Sequence, residues 1–181
     1  MRVIAGTARG ARLEAPKGMR VRPTLDRVRE SLFNILTPRL PGCRFLDLFA
    51  GAGGNGIEAL SRGAAAAVFA DNDRRSLAAI ERNLKHTGLA QHAEVVRCTL
   101  PGGLRSLASN AEPFDVVFAD PPYDFREYAA LLEAVADAKL LNEGGVLVVE
   151  HERHAALPEE TGGLKCSRHK SYGGTNLSFY T

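Results

Sequence analysis

The chain has 181 residues, of which 45% are hydrophobic and 24% charged, a composition typical of one soluble globular domain. Its longest apolar run, residues 64–70, is far shorter than the roughly 20 residues that cross a bilayer, and its first residues show no signal-peptide pattern, so we expect a cytoplasmic protein and exclude secreted, membrane-spanning and disordered classes. The net charge of +2 conceals an asymmetry, since residues 1–44 carry ten basic and three acidic residues (+7) and the remainder carries −5. This pattern favours a polyanionic partner such as a nucleic acid.

The first 44 residues contain two predicted elements. Residues 1–23 are rich in Gly, Arg and Pro, with short β-like pieces at 2–5 and 12–14, which predicts a hairpin or basic arm. Apolar residues at 25, 28, 32, 35 and 36 form one face of a helix predicted over 24–37, before Pro38. We therefore divide the chain into an arm, 1–23, and a main domain, 24–181.

From residue 45 onward, short apolar runs alternate with helical stretches. The predicted strands are 45–49, 66–70, 93–98, 114–119 and 145–150, followed by two late strands at 165–171 and 176–180. The predicted helices lie around 56–63, 74–87, 101–108 and 126–138. Apolar strands separated by helices predict a mostly parallel α/β sheet covered on both faces.

A glycine-rich turn follows the first of these strands. Gly51, Gly53 and Gly56 match the pattern G-x-G-x-x-G, in which missing Cβ atoms allow a cofactor to approach the backbone. Asp71 ends the second strand, where an acid accepts hydrogen bonds from ribose hydroxyls. Asp47 would repel the pyrophosphate of NAD, but it suits the ammonium end of S-adenosylmethionine. These residues predict S-adenosylmethionine as the cofactor.

The segment Asp120-Pro121-Pro122-Tyr123 follows another apolar strand. Prolines lack backbone N–H donors, so the Asp120 carboxylate and the Pro121 carbonyl are available to accept hydrogen bonds from an exocyclic NH₂ group. Two such acceptors orient a weakly nucleophilic aryl amine for attack on a methyl group. Tyr123 offers a face on which a flipped-out base stacks. We therefore predict Asp120, Pro121 and Tyr123 as catalytic residues.

Cysteine and histidine spacing gives no metal signature. The three cysteines, Cys43, Cys98 and Cys166, lie far apart in the sequence, and His151 and His154 lack an HExxH pattern. The sequence therefore predicts reduced thiols and no metal site.

Together these motifs resemble a known family. Asp120–Tyr123 is similar to the (D/N)PPY motif of amino-directed S-adenosylmethionine-dependent methyltransferases. With Arg2–Gly6, Arg22–Thr24, Asp26–Glu30 and Asp47–Ala64, the whole chain resembles the bacterial 16S ribosomal RNA guanine-N2 methyltransferases.

The resemblance implies a Rossmann-like class I methyltransferase with a seven-stranded sheet whose last strand is antiparallel, plus the N-terminal hairpin and helix. It implies that Asp47, Gly51 and Gly53 surround the methionine end of the cofactor and that Asp71 binds the ribose. Thr99 stands where the family usually has an Asp or Asn that meets the adenine. The basic arm would grip 16S rRNA in the small ribosomal subunit or an assembly intermediate, and the chain would act as a monomer. The candidate RNA-binding residues are Arg9, Arg12, Arg20, Arg22 and Arg29.

Two other functions remain as alternatives. A DNA adenine-N6 methyltransferase would share the DPPY segment, although the chain has no room for a separate target-recognition domain of about 100 residues. A non-catalytic RNA-binding assembly factor would share the fold, but it would not need the glycine turn, Asp71 and Asp120 together.

Overall fold

The computed structural model describes residues 1–16 and 23–181, and for residues 23–26 it describes only the backbone. Eight strands form one sheet in the order β3-β2-β1-β4-β5-β8-β7-β6. They are β1 (Arg44–Leu48), β2 (Ala66–Asp71), β3 (Ala93–Arg97), β4 (Phe114–Ala119), β5 (Leu141–Glu152), β6 (Glu160–Thr161), β7 (Leu164–Tyr172) and β8 (Thr175–Tyr180).

In the described part of the chain, five α-helices cover both faces of this sheet. They are α1 (Pro23–Leu36), α2 (Gly54–Ser61), α3 (Arg74–Thr87), α4 (Leu104–Ala108) and α5 (Tyr128–Asp137). Neighbouring residues on a strand enter opposite cores: Phe45 packs with α1, α2 and α3, whereas Leu46 packs with α4 and α5. Among the described residues, no helix combines the length and apolar character needed to cross a membrane.

The strand directions confirm the predicted α/β sheet. Strands β1 to β5 pair in parallel, and β8 runs antiparallel to both β5 and β7. The described sheet has eight strands rather than the seven expected, because Glu160–Thr161 pairs with β7 at the edge. A two-residue strand is too short to show an alternating pattern in the sequence.

Helix and strand bounds differ from the predicted ones mainly beside glycines and prolines. Helix α2 starts at Gly54 and not at residue 56, and α4 starts at Leu104, after Pro101 and two glycines. Helix α1 ends at Leu36, and a 3-10 turn, Thr37–Arg39, follows it. Such boundaries depend on hydrogen bonds and caps that periodicity does not specify.

The N-terminal hairpin lies against the body of the protein. Arg2 and Arg12 form an antiparallel bridge, while the side chains of Val3 and Leu13 are buried in the core. The fully buried carboxylate of Glu58 on α2 accepts hydrogen bonds from the backbone N–H groups of Ile4 and Ala5, at 2.7 and 3.0 Å. The hairpin is thus hydrogen-bonded to the body through α2.

Candidate functional site

Several of the predicted site residues meet, together with Glu150, at one edge of the sheet, where the parallel strands end. The glycine-rich turn follows β1, Asp71 ends β2, Asp120 follows β4, and Glu150 lies near the end of β5. Because the crossovers between these strands are helical, all four carboxyl ends point the same way and bring residues distant in sequence together.

The glycine-rich turn shapes the wall of a cavity at this edge. Gly51 has φ 57° and Gly53 has φ 78°, conformations that favour glycine. The Gly53 N–H donates to the carbonyl of Ala50 at 2.7 Å, which closes the turn. Ala50, Gly51 and Ala52 line the cavity.

Gly53 and Gly56 lie behind this wall, which corrects the sequence-based interpretation of the glycine pattern. A Cβ on Gly56 would come within 2.2 Å of the Phe69 ring, and one on Gly53 would come within 3.2 Å of Ile80. These two glycines therefore permit close packing of the turn on β2 and α3, and Gly51 alone of the three lies at the cavity.

Asp47 is also behind the turn. Its side chain is 1% exposed, and Oδ2 accepts a hydrogen bond from the Gly56 N–H at 2.8 Å. Burial, with smaller contributions from Asp120 and Asp71, raises its pKa well above the ordinary value. The structure thus places Asp47 beneath the loop that it stabilises, outside the cavity lining.

Asp71 lies in the cavity wall, as expected. Its Oδ2 accepts from the Gly51 N–H at 2.8 Å, and its Oδ1 accepts from the Asp73 N–H at 2.9 Å. Each carboxylate oxygen has a second lone pair for a ligand hydroxyl. The two amides therefore orient Asp71 without exhausting its capacity to accept hydrogen bonds.

Two cavities meet at Asp120. The first, of about 670 Å³, is lined by the glycine-rich turn, Asp71 and the apolar side chains of Phe49, Leu100 and Phe125. The second, of about 760 Å³, extends on the other side towards β5 and the turn that joins β7 to β8. Residues that line both cavities include Asp120, Pro121 and Glu150. A group held in one cavity can therefore react with a group held in the other.

The two carboxyl groups at this junction perturb each other. Burial raises the pKa of Asp120 to about 6. Burial and the neighbouring Asp120 raise the pKa of Glu150 well above its ordinary value. The junction therefore attracts hydrogen-bond donors and cationic groups, which would relieve the cost of the buried negative charge.

Pro121 and Tyr123 both line the second cavity, and Pro122 lines the first. Pro121 is buried in the wall of the second cavity, and the side chain of Tyr123 is 69% exposed at its rim. The carbonyl of Pro122 accepts from the Phe125 N–H at 2.9 Å, which turns the chain away from the junction. The exposed Tyr123 ring is available to stack on a planar ligand.

Thr99 is not brought to this site. Its side chain is exposed and lines a separate cavity beside Cys98 and Gly103. The next residue, Leu100, reaches the first cavity instead. The expected adenine contact from the Thr99 side chain therefore has no support in this geometry.

The candidate RNA-binding arginines have different surroundings. Arg9 and Arg12 are exposed on the N-terminal hairpin, whereas Arg20 and Arg22 lie outside the described residues. Arg29 is 6% exposed, lines the first cavity and donates from Nη2 to the Arg2 carbonyl at 2.5 Å. Arg29 therefore belongs to the cavity wall rather than to an outer RNA-binding surface.

Sequence reasoning missed Asn83, which holds two parts of the cavity wall together. Its side chain is 1% exposed, and Nδ2 donates to the carbonyls of Glu14 and Ala52, both at 2.9 Å. Its Oδ1 accepts from the Glu14 N–H at 2.8 Å. The sequence did contain a signal for Asn83, because this polar residue lies on the apolar face of α3. A polar side chain buried in this way requires hydrogen-bond partners.

Comparisons with known proteins identify the family. The model of the family described as conserved hypothetical protein 95 matches residues 1–181. YlbH of Bacillus subtilis is 42% identical over 180 residues, which cover 99% of this chain and 98% of the relative. Ribosomal RNA small subunit methyltransferase D of Escherichia coli K12 is 35% identical over 99% of this chain and 89% of its own length.

A solved structure extends the similarity to the fold. A hypothetical protein of Thermus thermophilus superimposes with a TM-score of 0.84 at 33% identity, covering 99% of this chain and 98% of that one. The full-length matches confirm the resemblance drawn from the motifs: the chain belongs to the family described as conserved hypothetical protein 95.

Proposed function

We propose that this protein transfers a methyl group from S-adenosylmethionine to the exocyclic N2 amino group of one guanine in 16S rRNA. The substrate is the small ribosomal subunit or an assembly intermediate, and the protein acts in the cytoplasm as a monomer. The observation that carries the proposal is the meeting of two cavities at Asp120 and Pro121. Methyl transfer between two bound molecules requires such a junction.

The first cavity fits the methyl donor. The backbone of Ala50 and Gly51 leaves space beside the turn, Asp71 is oriented to accept from ribose hydroxyls, and Phe49 and Phe125 offer apolar surface. When bound, S-adenosylmethionine supplies an electrophilic methyl group on a positively charged sulfonium. The carboxyl groups of this cavity stabilise a positive charge.

The second cavity accommodates the base that accepts the methyl group. Tyr123 stands at its rim to stack on a base withdrawn from the RNA. Asp120 and the Pro121 carbonyl accept hydrogen bonds from the amino group and direct its lone pair towards the first cavity. With S-adenosylmethionine bound, its sulfonium would supply the methyl group to the amino nitrogen, and Asp120 or water would take up the displaced proton.

An aryl amine requires this arrangement because its lone pair is delocalised into the ring. Correct positioning of two reactants contributes about 7–11 kcal/mol to the lowering of a barrier in favourable cases. Asp120, with its pKa near 6, is ionised at neutral pH and accepts hydrogen bonds there. The hydrogen-bond acceptors Asp120 and Pro121 position the amino group, so the reaction does not need a strong base.

The RNA substrate is supported by charge and by the relatives. Arg2, Arg9, Arg12 and Arg27 are exposed on the N-terminal hairpin and α1, where they can contact phosphates. The name of the Escherichia coli relative assigns it to the RNA of the small subunit. The choice of guanine N2 rests on the resemblance of the DPPY segment and the N-terminal motifs.

The test is methyl transfer from radiolabelled S-adenosylmethionine to small subunits that lack the modification, followed by nucleoside analysis. We expect the label in N2-methylguanosine, and none with an Asp120→Ala variant that still binds the cofactor. Label in N6-methyladenosine, on RNA or DNA, would replace the proposed target. Absence of transfer despite cofactor binding would indicate that a required partner is missing from the assay. Absence of cofactor binding would support the non-catalytic assembly-factor alternative.

A further inference from the structure

A second cluster of reactive side chains lies outside the proposed catalytic site, on the C-terminal hairpin. Glu159, Cys166 and His169 each direct one possible ligand atom to a common point, and these atoms lie within 4.8 Å of one another. Nε2 of His169 is 3.3 Å from Sγ of Cys166 and 3.5 Å from Oε1 of Glu159. The proposed methyl transfer uses none of these groups.

An irregularity in β7 brings the cysteine and the histidine together. Residues three apart on a regular strand point to opposite faces. Here Cys166 pairs with Tyr180 and Arg168 pairs with Phe179, so that β7 advances two residues while β8 advances one. This β-bulge places Cys166 and His169 on the same face, and bulges commonly re-aim functional side chains.

The backbone of the third residue, Glu159, is held by a hydrogen bond. The Cys166 N–H donates to the carbonyl of Glu159 at 2.8 Å, which holds the segment before β6 beside β7. Glu159 and His169 are exposed, so that solvent and ions reach the cluster directly. The cluster therefore has both a fixed frame and an entry path, two requirements for a metal site.

A chain of hydrogen bonds determines which nitrogen of His169 carries a lone pair. The carbonyl of Glu152 only accepts, so Nδ1 of His151 donates to it, at 2.8 Å. Nε2 of the neutral His151 ring then accepts from the Ser178 hydroxyl at 2.7 Å. The Ser178 oxygen in turn accepts from Nδ1–H of His169 at 2.8 Å. In a neutral His169 ring the lone pair therefore lies on Nε2, which faces Cys166.

This arrangement is the one that metal-binding histidines adopt, in which the second ring nitrogen donates to a fixed partner. Ser178 is fully buried and His151 is 6% exposed, so the partners of His169 are held by the core. Burial lowers the pKa of His151, which favours its neutral ring.

The separations suit a tetrahedral ion. Bonds of about 2.3 Å from zinc to sulfur and about 2.0 Å to nitrogen place the two ligand atoms about 3.5 Å apart in a tetrahedron. The observed separation of 3.3 Å between Sγ of Cys166 and Nε2 of His169 needs only a small adjustment. A thiolate, an imidazole and a carboxylate together favour zinc over magnesium or calcium.

We propose that Glu159, Cys166 and His169 bind a divalent transition-metal ion, with zinc as the expected occupant and water as the fourth ligand. The ion fastens the segment before β6 to β7. Through His169, Ser178 and His151 it also supports the wall of the second cavity, which His151 lines. The sequence-based expectation of no metal relied on linear spacing, which the β-bulge makes uninformative.

Cobalt is the probe for a direct test, because a cobalt–thiolate bond gives a near-ultraviolet charge-transfer band. The reduced full-length protein is stripped with a chelator and titrated with Co²⁺, and then with Zn²⁺ as competitor. We expect one cobalt per chain, a thiolate band, displacement by zinc, and loss of the band in Cys166→Ser.

Matched variants separate a built site from general surface binding. Glu159→Gln removes a ligand, whereas Glu160→Gln changes the exposed neighbouring carboxylate; we expect at least about tenfold weaker binding for the first and no change for the second. Ser178→Ala should weaken binding by about 10- to 100-fold through the orientation of His169. Circular dichroism of each apo variant checks folding.

Stability provides an independent readout that does not depend on methyl transfer. Zinc should raise the unfolding temperature of the wild type but not of Cys166→Ser, because an ion that binds only the folded state stabilises it. The proposal is overturned if the wild type gives no thiolate band at saturating cobalt. It is also overturned if the band persists in Cys166→Ser, which would assign the thiolate to Cys43 or Cys98.

Discussion

Asp120 combines a structural cost with a proposed catalytic role. It is partly buried at the junction of the two cavities, and its pKa is raised to about 6 because burial disfavours the charged form. Burial of a charged carboxylate costs free energy unless the carboxylate accepts hydrogen bonds. Hydrogen bonds from the amino group of a bound ligand would offset this cost.

Substitution of Asp120 separates binding from transfer. Asp120→Ala should reduce methyl transfer at least about 100-fold while S-adenosylmethionine affinity is retained, because the amine loses a positioning acceptor. Asp120→Asn keeps one oxygen acceptor and should lose less. Single-turnover transfer and equilibrium cofactor binding are the two measurements. Weakened cofactor affinity with normal turnover in Asp120→Ala would contradict the assigned role.

The same residue predicts how stability depends on pH. A carboxyl group whose folded pKa is about 6, above its unfolded value of 3.8, stabilises the fold below the unfolded pKa and loses this contribution as the pH rises through 6. Asp120→Asn should therefore be more stable than the wild type at pH 8, by about 1–3 kcal/mol.

Thermal unfolding across the pH range measures this difference. It should shrink as the pH falls towards 4, where the wild-type carboxyl group is protonated as well. Asp124→Asn changes an exposed carboxylate four residues away and serves as the control. An advantage of Asp120→Asn that does not vary with pH would show that the buried charge is not its cause.

At the scale of secondary-structure elements, the structure assigns the N-terminal hairpin a second role besides the proposed RNA binding, because the hairpin packs into the core. The sequence suggested an arm at residues 1–23 that grips RNA. In the structure Val3 and Leu13 enter the core, and Met1 and Ala15 line the first cavity. Its removal would leave the buried Glu58 without two of its hydrogen-bond donors. We therefore expect deletion of residues 1–16 to lower stability and cofactor affinity as well.

Two glycines in the hairpin provide a matched pair for testing its docking. Gly6 and Gly10 both have positive φ, 83° and 86°. A Cβ on Gly6 would lie 1.7 Å from the carbonyl oxygen of Ser61, whereas one on Gly10 would meet nothing within 4 Å. Gly10→Ala should therefore cost only the backbone strain, about 1–2 kcal/mol.

Gly6→Ala should cost clearly more than Gly10→Ala, because the hairpin must also move away from α2. Urea unfolding of both variants gives the two free energies. Proteolysis of the N-terminal segment under native conditions should accelerate for Gly6→Ala in particular. Equal destabilisation by the two substitutions would mean that the hairpin is not held against Ser61 in solution.

At the scale of the whole molecule, the basic surface of the hairpin and α1 lies next to the cavities. The hairpin and α1 carry four exposed arginines, Arg2, Arg9, Arg12 and Arg27, and the hairpin also lines the first cavity through Met1 and Ala15. A single RNA molecule that contacts this basic surface would extend towards the second cavity. In the proposed function, phosphate contacts would supply affinity and position because they are mostly blind to sequence, and the second cavity would select the base.

The salt dependence of RNA affinity tests whether the arginines of the hairpin contact phosphates. The double variant Arg9→Ala/Arg12→Ala should bind RNA more weakly and should reduce the slope of log affinity against log salt by about 1–2, since two phosphate contacts are lost. Cofactor binding should not change. Arg105→Ala, an exposed arginine on α4, is the control. An unaltered slope in the double variant would exclude these arginines from the RNA-binding surface.

The sequence by itself determined the class of fold and the order of the motifs. Alternating apolar strands and helices specify a parallel sheet, because a strand buried on both faces must be apolar along its length. The glycine-rich turn, Asp71 and the DPPY segment fall at strand ends in any such sheet, so their convergence at one edge could be predicted. Local chemistry identified these residues because glycine, proline and acid each have a distinct backbone or charge requirement.

Only the tertiary structure decided which of these residues line the two cavities that meet at Asp120. Asp47 and Gly56 lie behind the turn, Thr99 opens into another cavity, and Arg29 turns inward. The β-bulge that unites Cys166 with His169 left no trace in the linear spacing. The direction of a side chain depends on packing and strand register between elements that are distant in sequence. A motif, in contrast, consists of residues close together in the sequence, so the sequence alone reveals it.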